Sequence, residues 1–315
     1  MTAALVLAAG IIEKDSKANP MYKTKGFSSI RRIINTYNDA GVDCIVCITG
    51  HNAEKIELSN SKHGAVFLRN DDYETTDMMS SVKIGLNYLK DKYERILITL
   101  VDTPFFSLDT VKLLMESDSP DVGVVVPIHG GKPGHPMLVK ESSYDEIINY
   151  TGRNGLSFLL STPTIKKAYI DVSDKGVSFS FKLEYTDDEL SEILSSLPPR
   201  HMRHNAKITL SFEESFFGPG IYNLLRSVEE FGNVKVACAR IGLSYSKARS
   251  ILKTAEETLG YPITSTSHGG GYGGKTDITE RGMELLSRYE KFQREVKEFA
   301  AGSFERNFGD AEDLR

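Results

Sequence analysis

Residues 3–10 read Ala-Ala-Leu-Val-Leu-Ala-Ala-Gly. The run is apolar, short and closed by a glycine, which predicts a strand buried on both faces rather than a helix. Where it ends, Leu7 is followed by Ala8, Ala9 and Gly10, small residues that let the base or phosphates of a ligand approach the backbone. Apolar runs at 43–49, 64–68, 95–101 and 121–127 resemble it, and segments 28–41, 79–89 and 108–116 carry helical periodicity between them. That alternation predicts an α/β first domain over residues 1–190. Its Rossmann-like, mostly parallel sheet is covered on both faces and binds ligands at the carboxyl ends of its strands.

Two motifs fall at or near such ends. Ile98-Thr99-Leu100-Val101-Asp102-Thr103-Pro104 sets a carboxylate just past a strand. Asp102 there either bridges Mg2+ to phosphate oxygens or caps the helix starting near Ser107. Gly134-His135-Pro136 makes a constrained turn into another strand, and His135 either contacts substrate or is oriented by its own backbone. Cys44 and Cys47 lie three apart on one strand and point to opposite faces, so their spacing argues against zinc or redox chemistry. Three cysteines in 315 residues, with no apolar run long enough for a membrane span or signal peptide, predict a cytoplasmic protein. A hydrophobic fraction of 40% suffices for two ordinary cores.

Residues 191–206, polar and carrying Pro198-Pro199, predict a linker to a second domain at 207–315, which opens with a strand at 207–212 and a helix at 220–231. Residues 234–240 then read as a helix, Gly242 as a turn, and Ser244 as the N-cap of a helix with Ala248, Ile251, Leu252, Ala255 and Leu259 on its apolar face. The glycine-dense run at 269–274 and Lys275 follow as a hairpin, and Thr279-Glu280-Arg281-Gly282 opens a last helix. Turn, helix, glycine-rich hairpin and helix together make a winged helix-turn-helix. It would present Ser246, Lys247, Arg249, Ser250, Lys253 and Lys275 to double-stranded DNA, where the bland readings are a solvated helix face and a surface loop. The formal net charge is −5, so such binding depends on local placement of these cations and on a dimer that doubles them. Met283, Leu286, Tyr289, Phe292, Val296 and Phe299 form a stripe on the last helix that pairs with a second copy in a homodimer or packs on the first domain.

Residues 3–190 resemble the MobA-like nucleotidyltransferases, in particular the molybdenum-cofactor cytidylyltransferase branch. The resemblance rests on Leu7-Ala8-Ala9-Gly10, Thr49-Gly50-His51-Asn52, Asn70 and Asp71 with Met79-Ser80-Ser81-Val82-Lys83-Ile84-Gly85, Asp102-Thr103-Pro104 and Gly134-His135-Pro136. It implies transfer of a nucleoside monophosphate from CTP or GTP to the phosphate of a pterin such as molybdopterin, with Mg2+, releasing pyrophosphate. It also implies that Leu7, Ala8, Ala9, Gly10, Ser80 and Asp102 hold the nucleotide, that Lys14 and Asp102 serve catalysis, that His135 meets substrate, and that Asp102 and Glu184 ligate metal.

The departures from that family bear on activity. Where it carries Ser, Arg-Met-Gly and a Lys, this chain has Ile12, Lys14-Asp15-Ser16 and Asn19. Lys14 keeps a charge without the guanidinium fork, and Asn19 neutralises nothing. By analogy with other preorganised donors, losing such a cation costs on the order of 10²-fold. The family's late Asp-x-Asp-Thr falls at Lys182-Leu183-Glu184-Tyr185, where only Glu184 is acidic. Residues 242–248, the glycine run and Thr279 to Gly282 resemble the DNA-binding domain of ModE-type molybdate-responsive regulators, of the same class as LysR-type regulators. Two functions follow as expectations. One is a transcription regulator whose transferase-like domain binds a nucleotide or pterin without turnover; the other is an active cytidylyltransferase with an appended DNA-binding domain.

Overall fold

The computed structural model describes residues 1–13, 16–61, 63–117, 121–152, 155–197, 206–241, 243–267 and 275–308. The chain divides into two compact units, Met1–Pro198 and Pro199–Arg315. Among the described residues no helix is long and apolar enough to cross a membrane.

The first unit runs β1 (Thr2–Ala8), β2 (Lys23–Thr24), β3 (Phe27–Ser28), α1 (Ser29–Asp39), β4 (Cys44–Thr49), α2 (Ala53–Asn60), β5 (Ala65–Arg69), α3 (Met78–Leu89), β6 (Arg95–Leu100), α4 (Leu108–Glu116) and β7 (Val124–His129). It continues through β8 (Lys132–Pro133), β9 (Met137–Lys140), α5 (Tyr144–Asn149), α6 (Gly155–Ser161), β10 (Lys167–Asp171) and α7 (Asp187–Ser196). The main sheet has the order β10-β7-β9-β6-β1-β4-β5, with β8 paired to β7. Every residue of β1 is buried. The strand lies parallel between β4 and β6, pairing Leu5 with Val46 on one side and with Ile98 on the other. Ile30, Ile33, Ile34 and Tyr37 of α1 pack with Ala4, Val6 and Cys47 in one core cluster. Packed against β1 as well, α3 approaches at Gly85, where a Cβ would stand 2.1 Å from a Leu5 methyl.

The sheet is mostly parallel, as expected, and mixed only at β9, which runs antiparallel to β6 and β7, and at β8, which runs antiparallel to β7; the direction of β9 is set by neighbours that the apolar run of 137–140 does not encode. Two expectations are corrected. The strand expected from 121 begins at Val124. Residues 191–196 are not linker but the body of α7, started by a capping box between Thr186 and Glu189. Ile193 of α7 is buried in a cluster with Ala18, Phe105, Phe179 and Phe181, so apolar burial holds a segment whose polar composition reads as a tether.

The second unit comprises β11 (Leu210–Ser211), β12 (Ser215–Phe217), α8 (Pro219–Phe231), α9 (Val234–Ile241), α10 (Tyr245–Leu259), β13 (Thr264–Ser267), β14 (Lys275–Ile278) and α11 (Glu280–Phe308). The strand expected at 207–212 shrinks to Leu210–Ser211 in a hairpin with β12. Ser244 caps α10 by accepting from Lys247 N at 3.3 Å, and Ala248, Leu252 and Ala255 face a core with Leu224, Leu225 and Val228. β13 and β14 pair antiparallel; Gly242 and the glycines at 269–274 lie outside the described residues. The stripe of α11 is divided, not continuous. Leu286 and Tyr289 are buried in this unit's core and Val296 packs partly against it, while Met283, Phe292 and Phe299 are exposed.

Candidate functional site

In the first unit the parallel strands β1, β4, β5 and β6 end on one edge, and the loops that follow them supply most of the candidate residues. Gly50, just after β4, has no side chain because a Cβ would stand 2.6 Å from the Ala9 carbonyl oxygen. The same oxygen accepts from His51 N at 3.1 Å, which ties the end of β1 to the loop after β4. Asn70, buried after β5, makes a similar tie by donating its N–H to the Thr49 carbonyl at 2.8 Å, and through Nδ2 it donates to the Thr76 and Ser81 hydroxyls, each at 3.1 Å. The Asp77 side chain caps α3 by accepting from Ser80 N at 3.2 Å.

A loop distant in sequence completes the edge. Asp174 accepts from Ser107 N and the Thr110 hydroxyl, each at 2.7 Å, and from Gly176 N at 2.9 Å. Gly176 passes so close to Phe105 that a Cβ would meet its carbonyl oxygen at 2.1 Å. Val177 O then accepts from His135 N at 2.8 Å, and Ser180 Oγ donates to Asp102 Oδ2 at 2.7 Å. Phe181 N bonds the Asp102 carbonyl at 2.9 Å, and Lys182 Nζ lies 4.0 Å from Asp102 Oδ2.

These parts border a cleft of about 110 Å³ lined by Leu7, Ala8, Ala9 and Gly10 on one side, by Asn70, Asp77 and Ser81 on another, and by Asp102 and Lys182. Asp102 is 2% exposed and does not cap α4, whose N-cap is Ser107. Ser81, not Ser80, lines the cleft, because the buried face of α3 carries Ser81 with Val82 and Gly85. A second cleft of about 280 Å³ lies beyond Gly10, bordered by Asn19, His51, Asn52 and Lys55.

His135 does not line either cleft. Its Nδ1 faces the Ile98 carbonyl at 3.3 Å, and burial pulls the imidazole below its ordinary pKa against the opposing pulls of that carbonyl and of Asp102. A carbonyl only accepts, so Nδ1 carries the proton, and the neutral ring keeps Nε2 as an acceptor. Glu184 is exposed and does not line the cleft. Lys14 lies outside the described residues.

Nothing local in the sequence marks Ser180 and Lys182 as partners of Asp102, since Ser180 lies 78 residues from it. Replacing Ser180 by Ala leaves Asp102 Oδ2 without its hydroxyl donor in a buried place. The expected cost is about 1–3 kcal/mol in urea unfolding, whereas a loss within error would show that water already serves this oxygen.

In the second unit Ser246, Lys247, Arg249, Ser250, Lys253 and Lys275 are all exposed. Lys253 pairs with Glu257 at 3.6 Å and Lys275 with Asp277 at 2.8 Å, so part of this charge is compensated within the chain. Tyr245, 40% exposed, has the Lys235 ammonium and the Arg249 guanidinium each 5.8 Å from its ring centre.

Among curated proteins, the chain is 27% identical over 143 residues to the bifunctional protein GlmU of Staphylococcus carnosus, covering 44% of this chain and 31% of that one. GlmU of Staphylococcus epidermidis is 29% identical over 115 residues, covering 36% and 25%. The chain thus spans less than a third of the length of these relatives. Solved structures similar to it include a nucleotidyl transferase from Methanothermobacter thermautotroptrophicus, with TM-score 0.48, 19% identity, and coverage of 55% of this chain and 88% of that one. Another is the molybdopterin-guanine dinucleotide biosynthesis protein A of Archaeoglobus fulgidus, with TM-score 0.45, 16% identity, and coverage of 62% and 97%. The family profile of the MobA-like NTP transferase domain matches residues 4–168, more than half of the chain, and the chain belongs to that family.

Proposed function

We propose that this protein is a molybdenum-related transcription regulator whose first unit binds a nucleotide or pterin cofactor without turning it over, and whose second unit binds double-stranded DNA. The observation that carries the first half is the state of the loop after β1. Where the family has a lysine, Asn19 spends its side-chain oxygen on Met21 N at 2.9 Å, inside its own turn. Two cations near that loop, among the described residues, are engaged elsewhere: Lys17 lies over the Tyr185 ring at 5.2 Å, and Lys25 donates to the Leu194 carbonyl of α7. Nucleotidyl transfer is catalysed mainly by positioned positive charge, so a loop disposed this way favours binding over chemistry.

The second half is supported by the order of α9, α10 and the β13–β14 hairpin, read as a winged helix-turn-helix. α10 opens at a capped N-terminus, and Lys247 and Arg249 are exposed in its first turns. The exposed Met283, Phe292 and Phe299 of α11 are assigned to a homodimer interface. The second reading, an active cytidylyltransferase, is favoured by one observation: Asp102 stays buried on the cleft, where a transferase needs a carboxylate.

Incubation with labelled CTP or GTP, Mg2+ and molybdopterin separates the two. The expected result is saturable binding with no pyrophosphate release; release that Asp102→Asn abolishes would establish the enzyme. For the DNA half, Lys247→Ala with Arg249→Ala is expected to weaken binding to a palindromic duplex by about tenfold or more and to flatten its salt dependence. Unchanged affinity and salt slope would remove α10 from the interface.

A further inference from the structure

The family typically uses a divalent metal with its NTP, and the residues of this cleft do not fit one. Two carboxylates line it, Asp77 and Asp102. Asp77 Oδ1 is taken by Ser80 N and faces its hydroxyl at the start of α3. Asp102 Oδ2 holds the Ser180 hydroxyl and lies 4.0 Å from the Lys182 ammonium. A Mg2+ ion on either oxygen of Asp102 would sit beside the like charge of Lys182, and on Oδ2 it would also displace the Ser180 hydrogen bond. Among the described residues no cluster of three His, Cys, Asp or Glu side chains offers another seat.

We infer that Lys182 takes the place of the divalent ion beside Asp102, so that a nucleoside triphosphate is held in this cleft through an ammonium–phosphate contact with no metal bridge to the protein. The inference rests on the nucleotide-binding reading of the cleft. Three features of Lys182 carry it. It is the cation among the described residues lining the cleft. Its side chain is 59% exposed, so the ammonium is free to swing from Asp102 toward an incoming phosphate, while Asp102 stays fixed by Ser180. Third, Phe181, its neighbour, is pinned on both sides: its N–H bonds the Asp102 carbonyl, and its ring packs among Phe105, Phe179 and Tyr22. The stem of Lys182 therefore starts from a rigid point at the mouth of the cleft. A lysine makes a point contact with phosphate and needs no fork geometry, which suits this single position.

The test is titration calorimetry of the full chain with CTP and with GTP, in excess EDTA and in excess Mg2+. For the nucleotide that binds, the affinities in the two buffers are expected to agree within about threefold, and Lys182→Met to weaken binding about tenfold or more in both. Lys182→Asp restores a second acid beside Asp102, and its binding is expected to fall in EDTA and recover with Mg2+. Because Lys182 is exposed, these variants are expected to keep the wild-type circular dichroism and melting curve. Wild-type binding that vanishes in EDTA, or a Lys182→Met variant as tight as wild type, overturns the metal-free role while leaving the nucleotide reading standing. If neither nucleotide binds in either buffer, the nucleotide reading fails and this inference falls with it.

Discussion

Arg69→Met is expected to destabilise the first unit by about 3–5 kcal/mol, because it strands a buried carboxylate. Glu57 of α2 has a side chain only 3% exposed, and Arg69 at the end of β5 meets it with both forks, Nε to Oε1 at 2.9 Å and Nη2 to Oε2 at 2.6 Å. The Thr49 hydroxyl adds a third donor at 2.7 Å to Oε1. Thr49 ends β4 and Arg69 ends β5, so this cluster clamps α2 to the edge of the sheet that carries Gly50 and His51. With the guanidinium gone, one hydroxyl remains for a carboxylate sealed from water. The double variant Glu57→Met with Arg69→Met is expected to recover most of the loss, since buried ion pairs are often replaced by apolar groups at no net cost. Urea unfolding of the single and double variants checks both statements. A single-variant loss below about 1 kcal/mol would mean that Glu57 reaches water despite its burial.

In the second unit the largest expected effect is Phe217→Ala, at about 3–5 kcal/mol. Phe217 is 2% exposed, and its ring meets Tyr289 edge-on at 5.0 Å between centroids, which joins β12 to α11. Tyr289 in turn donates its hydroxyl to the Ile208 carbonyl at 2.8 Å and packs against Tyr222. Removing the ring opens a cavity between the hairpin that starts this unit and the helix that ends it. Amide exchange in 219–259 is expected to accelerate together, reporting one cooperative core; acceleration confined to 208–217 would show that the hairpin is a separate appendage.

The parts of the fold legible in the sequence were those where one physical signal dominates. β1, β4 and β6 are unbroken apolar runs because both faces of a central parallel strand are covered, and they were placed to within a residue or so. α10 was legible from Ser244 and the apolar spacing that follows it. The C-terminal half of α7 is not legible, because the polar composition of 191–206 with Pro198-Pro199 reads as a linker, although Thr186 followed three residues later by Glu189 is a capping-box signature. The direction of β9 was not legible, since it depends on pairing with β6 and β7 rather than on its own four residues.

The site divides in the same way. Ala8, Ala9, Gly10 and Asp102 are legible as cleft residues because each closes or follows a strand whose end is recognisable. Ser180 and Lys182 could not, because the loop that brings them to Asp102 is steered by Asp174 and Gly176 through contacts with Ser107, Thr110 and Phe105 that leave no local pattern. His135 was legible as a special turn residue but not as one held away from the clefts by Val177 and Ile98.

The proposed regulator requires that nucleotide binding in the first unit change duplex binding by the second. Fluorescence anisotropy of a labelled palindromic duplex, titrated with the full chain in the presence and absence of the nucleotide that binds the cleft, tests this directly. The expected result is a saturable shift in duplex affinity of about fivefold or more that Lys182→Met moves to higher nucleotide concentration. Superimposable curves at saturating nucleotide, from protein shown to bind both ligands, would contradict it.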